Sequence, residues 1–429
     1  MKTIFSPPAE IWEELCKRPE LDRADLEKNV RSIIDRVKNE GDKALRDYSV
    51  KFDGAILSDI RVSQDEIDDS VNLVPESLKN AILTASGNIE KFHRIQLTNE
   101  PVVETVPGVR CWRKNVAIER VGLYIPGGSA PLFSTVLMLA IPAKIAGCGS
   151  IVICTPAGKD GKINPAILLA ARISGVTEIF KTGGAQAIAA MAFGTESVPG
   201  VYKIFGPGNQ YVTKAKEMVQ SEGIAIDMPA GPSEVLVIAG AEADPVFVAA
   251  DLLSQAEHGP DSQVVFLTDD KELLEKVKKE VEKQLGELPR KEIAEKALKN
   301  SLAILFGSTD ECMDFSNRYS PEHLIINTSD AALLAGKVIN AGSVFIGRFS
   351  CESAGDYASG TNHTLPTKGF ARNFGGVSTE SFIKKITFQE INSEGIKIIG
   401  PAIEQMAMAE QLAGHSNAVS VRLKSIKND

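Results

Sequence analysis

From about residue 118 to residue 347 the chain alternates short β-branched runs with stretches of helical length, the texture of parallel strands joined by crossover helices. Ile118–Ile125, Ile151–Cys154, Glu178–Lys181 and Lys203–Phe205 read as strands, with helices over Thr135–Ala146, Pro165–Ser174, Ala185–Phe193 and Gln210–Ser221. A second series starts near Glu234, with strands at Val235–Ala239, Val264–Thr268, Ala303–Phe306, Leu324–Asn327 and Ser343–Gly347. Its helices are Pro245–Glu257, Lys271–Leu285, Lys291–Asn300, Glu311–Arg318 and Ala331–Val338. The expected class is α/β: two Rossmann-like parallel-sheet domains, neither with a complete GxGxxG, plus a small N-terminal helical part and a C-terminal tail domain. No residue-level repeat relates the two series.

Residues 1–100 read as mainly helical, with apolar residues at helical spacing in Arg23–Asn39 and Pro75–Phe92 and a turn at Lys51–Gly54. The charged stretch Asp269–Lys299 places Leu274, Val277, Val281 and Leu285 on one face, so it is a solvated amphipathic helix. After Phe370 the pattern loosens into Asn373-Phe-Gly-Gly, a two-strand stretch and a final helix over Pro401–Ala413. That tail is small for a core of its own, so it is expected to pack elsewhere, such as on another subunit. The expected divisions are an arm (1–20), a helical part (21–115), α/β domains at 116–232 and 233–370, and a C-terminal domain at 371–429.

At 429 residues, 43% hydrophobic and 24% charged, the chain has the composition of a soluble multidomain protein. A net charge of -9 speaks against a nucleic-acid partner. The N-terminus lacks a signal-peptide core. The most apolar run, Phe133–Gly147, is broken by Pro142 and Lys144 and is shorter than the ~20 residues of a membrane span. Six cysteines without CxxC spacing read as reduced thiols in a cytoplasmic protein.

Only five histidines are present, and four lie beyond residue 250, each beside a polar or acidic residue and a turn signal. Gln255 and His258 share a face in the last turn of a helix opened by Asp244-Pro245 and closed by Gly259-Pro260. Glutamine is an uncommon zinc ligand, so a structural pair is the more ordinary reading. Glu322-His323 follows Ser320-Pro321; adjacent side chains diverge in a regular element, so a general-base pair requires a bend there. A surface acid beside a packed histidine is the commoner outcome. Glu352 to His363, through Asp356, reads as a small-residue loop after a strand, near the strand C-terminal ends where α/β proteins hold ligands. Glu410 and His415 flank the end of the last helix, with Gly414 as its αL cap. His93 reads as ordinary surface or packing. Three glycine-rich turns follow strands, at Pro126–Pro131, Thr182–Gln186 and Gly206–Gln210. Such turns let backbone N–H groups approach phosphates, but none completes GxGxxG, and Tyr211 stands where a third glycine would complete the last motif.

Together these segments resemble the histidinol dehydrogenase family, closely from about Glu119 to the C-terminus. The specific pieces are Arg120-Val-Gly-Leu-Tyr124-Ile-Pro-Gly-Gly, Phe205-Gly-Pro-Gly-Asn209-Gln-Tyr-Val, Ala230-Gly-Pro-Ser233-Glu, Gln255-Ala-Glu-His258-Gly, Pro321-Glu-His-Leu, Gly355-Asp-Tyr and Asn362-His363. The resemblance implies zinc held by Gln255, His258, Asp356 and His415, with L-histidinol completing the coordination. It implies acid–base roles for Glu322 and His323, further substrate contacts from Ser233, His363 and Glu410, and NAD contacts from Tyr124, Gln186 and Asn209. It implies a cytoplasmic homodimer whose C-terminal domain reaches the partner's site. NAD would lie on the 116–232 side, and zinc and substrate on the 233–370 side. Cys351 departs from the proline that relatives often carry before the glutamate. The implied reaction is a four-electron oxidation through L-histidinal to L-histidine, the last steps of histidine biosynthesis. A zinc hydrolase using Glu322 as general base, or a non-catalytic zinc-stabilised protein, needs no dinucleotide site and leaves the glycine turns without a role.

Overall fold

The computed structural model describes residues 1–18, 24–127, 131–229 and 231–428. Its strands are β1 (Lys2–Phe5), β2 (Val103–Val106), β3 (Val109–Ala117), β4 (Arg120–Tyr124), β5 (Ser150–Thr155), β6 (Glu178–Lys181) and β7 (Lys203–Phe205). They continue as β8 (Ala225–Ile226), β9 (Glu234–Ala239), β10 (Gln263–Thr268), β11 (Leu302–Leu305), β12 (His323–Asn327), β13 (Ser343–Ile346) and β14 (Ile383–Ile391). The chain divides into a large unit, Met1–Gln96 with Ile118–Phe382, and a small unit, Leu97–Ala117 with Ile383–Asp429.

The large unit holds two wholly parallel sheets, as the alternating texture requires. One has the order β6-β5-β4-β7-β8, the other β1-β11-β10-β9-β12-β13. In each, the chain works outward from one strand, then returns to its other side, between β4 and β7 and between β9 and β12. Helices cover both faces, so central strands bury every residue, as in β9 and β10. Helix Phe133–Ala146 is buried without a break from Ser134 to Ala143, which explains why it is the most apolar run and yet no membrane span. Among the described residues no helix is long and apolar enough to cross a membrane. Helix starts follow local chemistry: Asn164 and Asp244 each cap the N–H two residues on, with proline at the first helical position.

Two expectations for the first hundred residues change. Lys2–Phe5 is an edge strand, because Lys2 to Phe5 pair with Leu302 to Leu305 of β11. Four residues carry too little pattern to announce a strand whose partner lies three hundred residues away. The turn at Lys51–Gly54 is a π-helical turn, Ser49–Asp53, closed by Gly54 in αL.

The small unit is an antiparallel sheet, β14-β3-β2, followed by helices Ser393–Ala409 and Ala413–Asn428. The expected two-strand stretch after Phe370 is the single strand β14. Its partner is β3, paired from Ile383 with Ala117 to Ile391 with Val109. The expected helix Pro401–Ala413 starts at Ser393, where Asn392 caps Gly395 N–H, and carries Pro401 within it. It breaks at Gln411, whose φ is 62°, and Gly414 lies inside the following helix, not at an αL cap.

Candidate active site

Two strand starts meet at the middle of the six-stranded sheet. His323 begins β12 and pairs with Val235 of β9, one residue beyond Glu234. The His323 ring is buried, and its Nδ1 lies 3.0 Å from the Glu234 carbonyl, which only accepts. Nδ1 therefore carries the proton, and Nε2 is a buried atom with no protein hydrogen bond. Three carboxylates surround this ring: Glu322 at 3.6 Å and Glu352 at 3.7 Å from Nδ1, and Asp356 at 3.7 Å from Nε2. The expectation that Glu322 is a surface acid is overturned. It is buried, and its Oε2 accepts the Glu234 N–H at 2.8 Å. The bend at Ser320, with φ 57°, precedes this pair.

Electrostatics follow from packing acids around one base. Burial pushes Glu322 up to about 8, against the pull of His323 and the Glu234 N–H. Burial likewise holds Glu352 well above the carboxylate range. For His323 burial opposes the charge, but Glu352, Glu322 and Asp356 outweigh it and raise its pKa well above the usual value. Burial also opposes ionisation of Asp356, yet His323 prevails and lowers it. The cluster retains protons that a bound cation would displace.

Gln255, in the last turn of helix Pro245–Ala256, is fully buried with both amide atoms lacking a partner. The turn that follows, closed by His258 N–H to Gln255 C=O at 3.2 Å, presents His258. One donor atom each from His258, Glu352 and Asp356 lies within 4.8 Å of the others. An imidazole, carboxylates and an orphaned amide suit a zinc-like cation, and the residues present fit it. His363 adds a brace: its ring nitrogens lie 3.0 Å from the Asp356 carbonyl and 3.2 Å from Thr135 Oγ1. Ser233, immediately before Glu234, accepts the Gln263 N–H through its carbonyl. Glu410, which ends helix Ser393–Ala409, and His415, in the helix that follows, are exposed residues of the small unit.

Two features escaped the sequence. The segment from Glu352 begins as a helix, Glu352–Tyr357, not a loop, so Glu352 and Asp356 share a face at a spacing of four. That spacing was the available signal for Glu352. The segment also returns from the end of β13 to the start of β12, so the cluster gathers at strand N-terminal ends and not at the C-terminal ends. The other missed carboxylate is Asp251, one helical turn before Gln255, which burial pushes up to about 7.

The expected cofactor residues lie at the opposite kind of edge, the carboxyl ends of β4, β6 and β7, with the strand order reversing between β4 and β7. Tyr124 ends β4 and accepts the Gly184 N–H on its hydroxyl at 3.1 Å. Gln186 is buried in the first turn of helix Gly184–Phe193. Asn209 caps helix Gln210–Gln220, accepting from the N–H groups of Tyr211 and Val212. Nearby strand ends leave Thr155 Oγ1 and Thr182 Oγ1 buried and unpartnered. A Cβ at Gly127 or Gly183 would stand 2.0 or 2.7 Å from Pro156, so tight packing accounts for both glycines. Residues 128–130 of the turn at 126–131, and Ala230 of the Ala230–Glu234 motif, lie outside the described residues.

The family model described as histidinol dehydrogenase matches residues 16–423. The histidinol dehydrogenase of Bacteroides thetaiotaomicron is 59% identical over 427 residues, covering 100% of both chains. That of Escherichia coli O6:H1 is 51% identical over 422 residues, covering 98% of this chain and 96% of its own. The crystal structure of histidinol dehydrogenase from Elizabethkingia anophelis superposes with a TM-score of 0.97 at 57% identity, covering 100% of this chain and 99% of the other.

Proposed function

The chain belongs to the histidinol dehydrogenase family and is an oxidoreductase of histidine biosynthesis, and we propose that it oxidises L-histidinol through L-histidinal to L-histidine, using NAD and one zinc ion per subunit. The observation that carries this reading is a buried imidazole whose Nε2 makes no protein hydrogen bond, ringed by carboxylates and set beside the orphaned amide of Gln255. Gln255, His258 and Asp356 would hold the zinc, with His415 of a second copy completing the set in a cytoplasmic homodimer. Zinc held there would orient the substrate through its imidazole and amino nitrogens, and bound NAD would supply the hydride acceptor for both oxidations.

His323 Nε2 takes the hydroxyl proton as the adjacent carbon is oxidised to the aldehyde. The aldehyde carbon must become tetrahedral before a second hydride leaves. Glu322 takes a proton from the water that adds there while His323 returns its proton to the carbonyl oxygen, so His323 is free to receive the hydroxyl proton of the second oxidation. A carboxyl pushed by burial to about 8 is matched to proton exchange near neutral pH, and such help is typically worth ~10²–10⁴-fold. His363 braces Asp356, and Ser233 and Glu410 are assigned to the substrate. Tyr124, Gln186 and Asn209 are assigned to NAD. Purified protein given L-histidinol and NAD is expected to form two NADH per histidinol; a ratio of one sinks the second oxidation. His323→Asn should abolish turnover with zinc content near wild type, and metal loss would make His323 a ligand instead.

A further inference from the structure

Glu234 opens β9 at 1% relative exposure, and its carboxylate has no part in the steps above. Its main chain nevertheless holds both acid–base residues, donating N–H to Glu322 Oε2 at 2.8 Å and accepting from His323 Nδ1 at 3.0 Å. The side chain is clamped from elsewhere. Arg18 donates from Nε to Oε1 at 3.0 Å and from Nη2 to Oε2 at 2.9 Å, and Lys368 N–H donates to Oε1 at 2.8 Å.

Arg18 is itself tied on every side. Its guanidinium lies 3.6 Å over the Tyr319 ring and donates to the carbonyls of Tyr319 at 2.8 Å and Cys16 at 2.9 Å. Tyr319 stands three residues before Glu322, and its hydroxyl donates to Gln263 Oε1 at 2.7 Å. One guanidinium therefore joins the residue that starts β9 to the segment that leads into β12. Burying an ion pair is costly, and a two-pronged pair earns its place through geometry more than through stability.

We propose that Arg18 is a positioning residue for the acid–base pair. By locking the Glu234 carboxylate, it fixes the Glu234 peptide groups. Those groups hold the His323 ring through Nδ1, so that Nε2 is the atom left to exchange a proton, and aim the Glu322 carboxylate. If the Glu234 peptide turns, the ring loses its acceptor and its proton is free to move to Nε2, where it blocks the base. The inference rests on the reading that Glu322 and His323 carry the proton transfers.

The test uses zinc-loaded full-length enzyme carrying Arg18→Lys, and Arg18→Met paired with Glu234→Gln so that no buried carboxylate is left alone. Each is expected to lose about 10- to 100-fold in kcat, with KM for histidinol and zinc content near wild type. With only five histidines, ¹⁵N-histidine spectra report the His323 tautomer, expected to pass from Nδ1-protonated to a mixture. A folded variant with wild-type kcat, or a loss of kcat that follows zinc loss while the tautomer stays fixed, overturns the proposal. If the paired variant does not fold, Arg18→Lys, which keeps the charge, decides by the same measures. Turnover surviving in His323→Asn would sink the underlying reading. Full kcat in the Arg18 variants beside a dead His323→Asn would sink only the positioning role.

Discussion

Both amide atoms of Gln255 are buried without partners, and leaving a buried donor or acceptor unmet costs roughly 1–3 kcal/mol. A side chain kept at that cost in the protein alone recovers it on binding a cation. Gln255→Met keeps the volume and removes the unmet groups. It is expected to stabilise the zinc-free protein by about 1–3 kcal/mol and to erase most of the stability gained on adding zinc. Calorimetry with chelator and with zinc reads both, and a less stable zinc-free variant would mean the amide has a partner in the resting protein. The spacing of Gln255 and His258 was visible in the sequence because both lie at the end of a helix with clear caps. Glu352 was not, since its relation to Asp356 exists only once the segment between them is known to be helical. Nor could the sequence tell that Glu322 is buried, because its burial comes from the neighbouring strand β9.

At the scale of elements, the turn after β7 lies at the edge proposed for NAD. Gly206 has φ 124°, and a Cβ there would stand 2.2 Å from the Tyr124 carbonyl. Gly206→Ala should therefore cost about 1–3 kcal/mol of strain and weaken NAD binding while leaving zinc content unchanged. NAD titration beside zinc analysis checks this, and an unchanged NAD affinity would detach the turn from the cofactor. A second element is pinned by charge. At the start of helix Asp42–Tyr48, Asp42 accepts from Thr195 Oγ1 at 2.7 Å and from Ser197 through Oγ and N–H. Burial opposes the ionised form, but the bonds from Ser197 and Thr195 prevail and lower the pKa. The unfolded chain thus holds the proton more tightly. The contribution is complete above the ordinary carboxylate pKa, about 3.9, and disappears as the pH falls through the lower folded value. Asp42→Asn should remove about 1.5–3 kcal/mol near neutral pH and little in strong acid; urea midpoints at the two extremes decide. The strands and helices from 118 to 347 were legible because each buries an apolar pattern near its neighbours in sequence. β14 was legible only as a vague strand, since nearly all its residues are exposed and its partner β3 lies some 270 residues earlier.

For the whole molecule, the two parallel sheets could be read from texture, but the composition of the small unit could not. It combines Leu97–Ala117, which interrupts the large unit's sequence, with Ile383–Asp429, which follows it, and no local pattern announces such a pairing. That unit leaves the apolar side chains of Phe388, Ile391, Met406 and Met408 exposed. It also carries Glu410 and His415 on the surface. A tail that completes a neighbour's site explains both, and it makes a quantitative demand. His323→Asn and His415→Asn are each expected to be inactive as pure proteins. Unfolded together at equal amounts and refolded, two-fold dimers form randomly, so about half are mixed. In a mixed dimer one site carries both substitutions and the other carries neither. About a quarter of wild-type activity should therefore return on mixing, while each variant refolded alone stays inactive. If His415 serves the site of its own chain, every site in the mixture keeps one substitution, and no activity returns at any ratio.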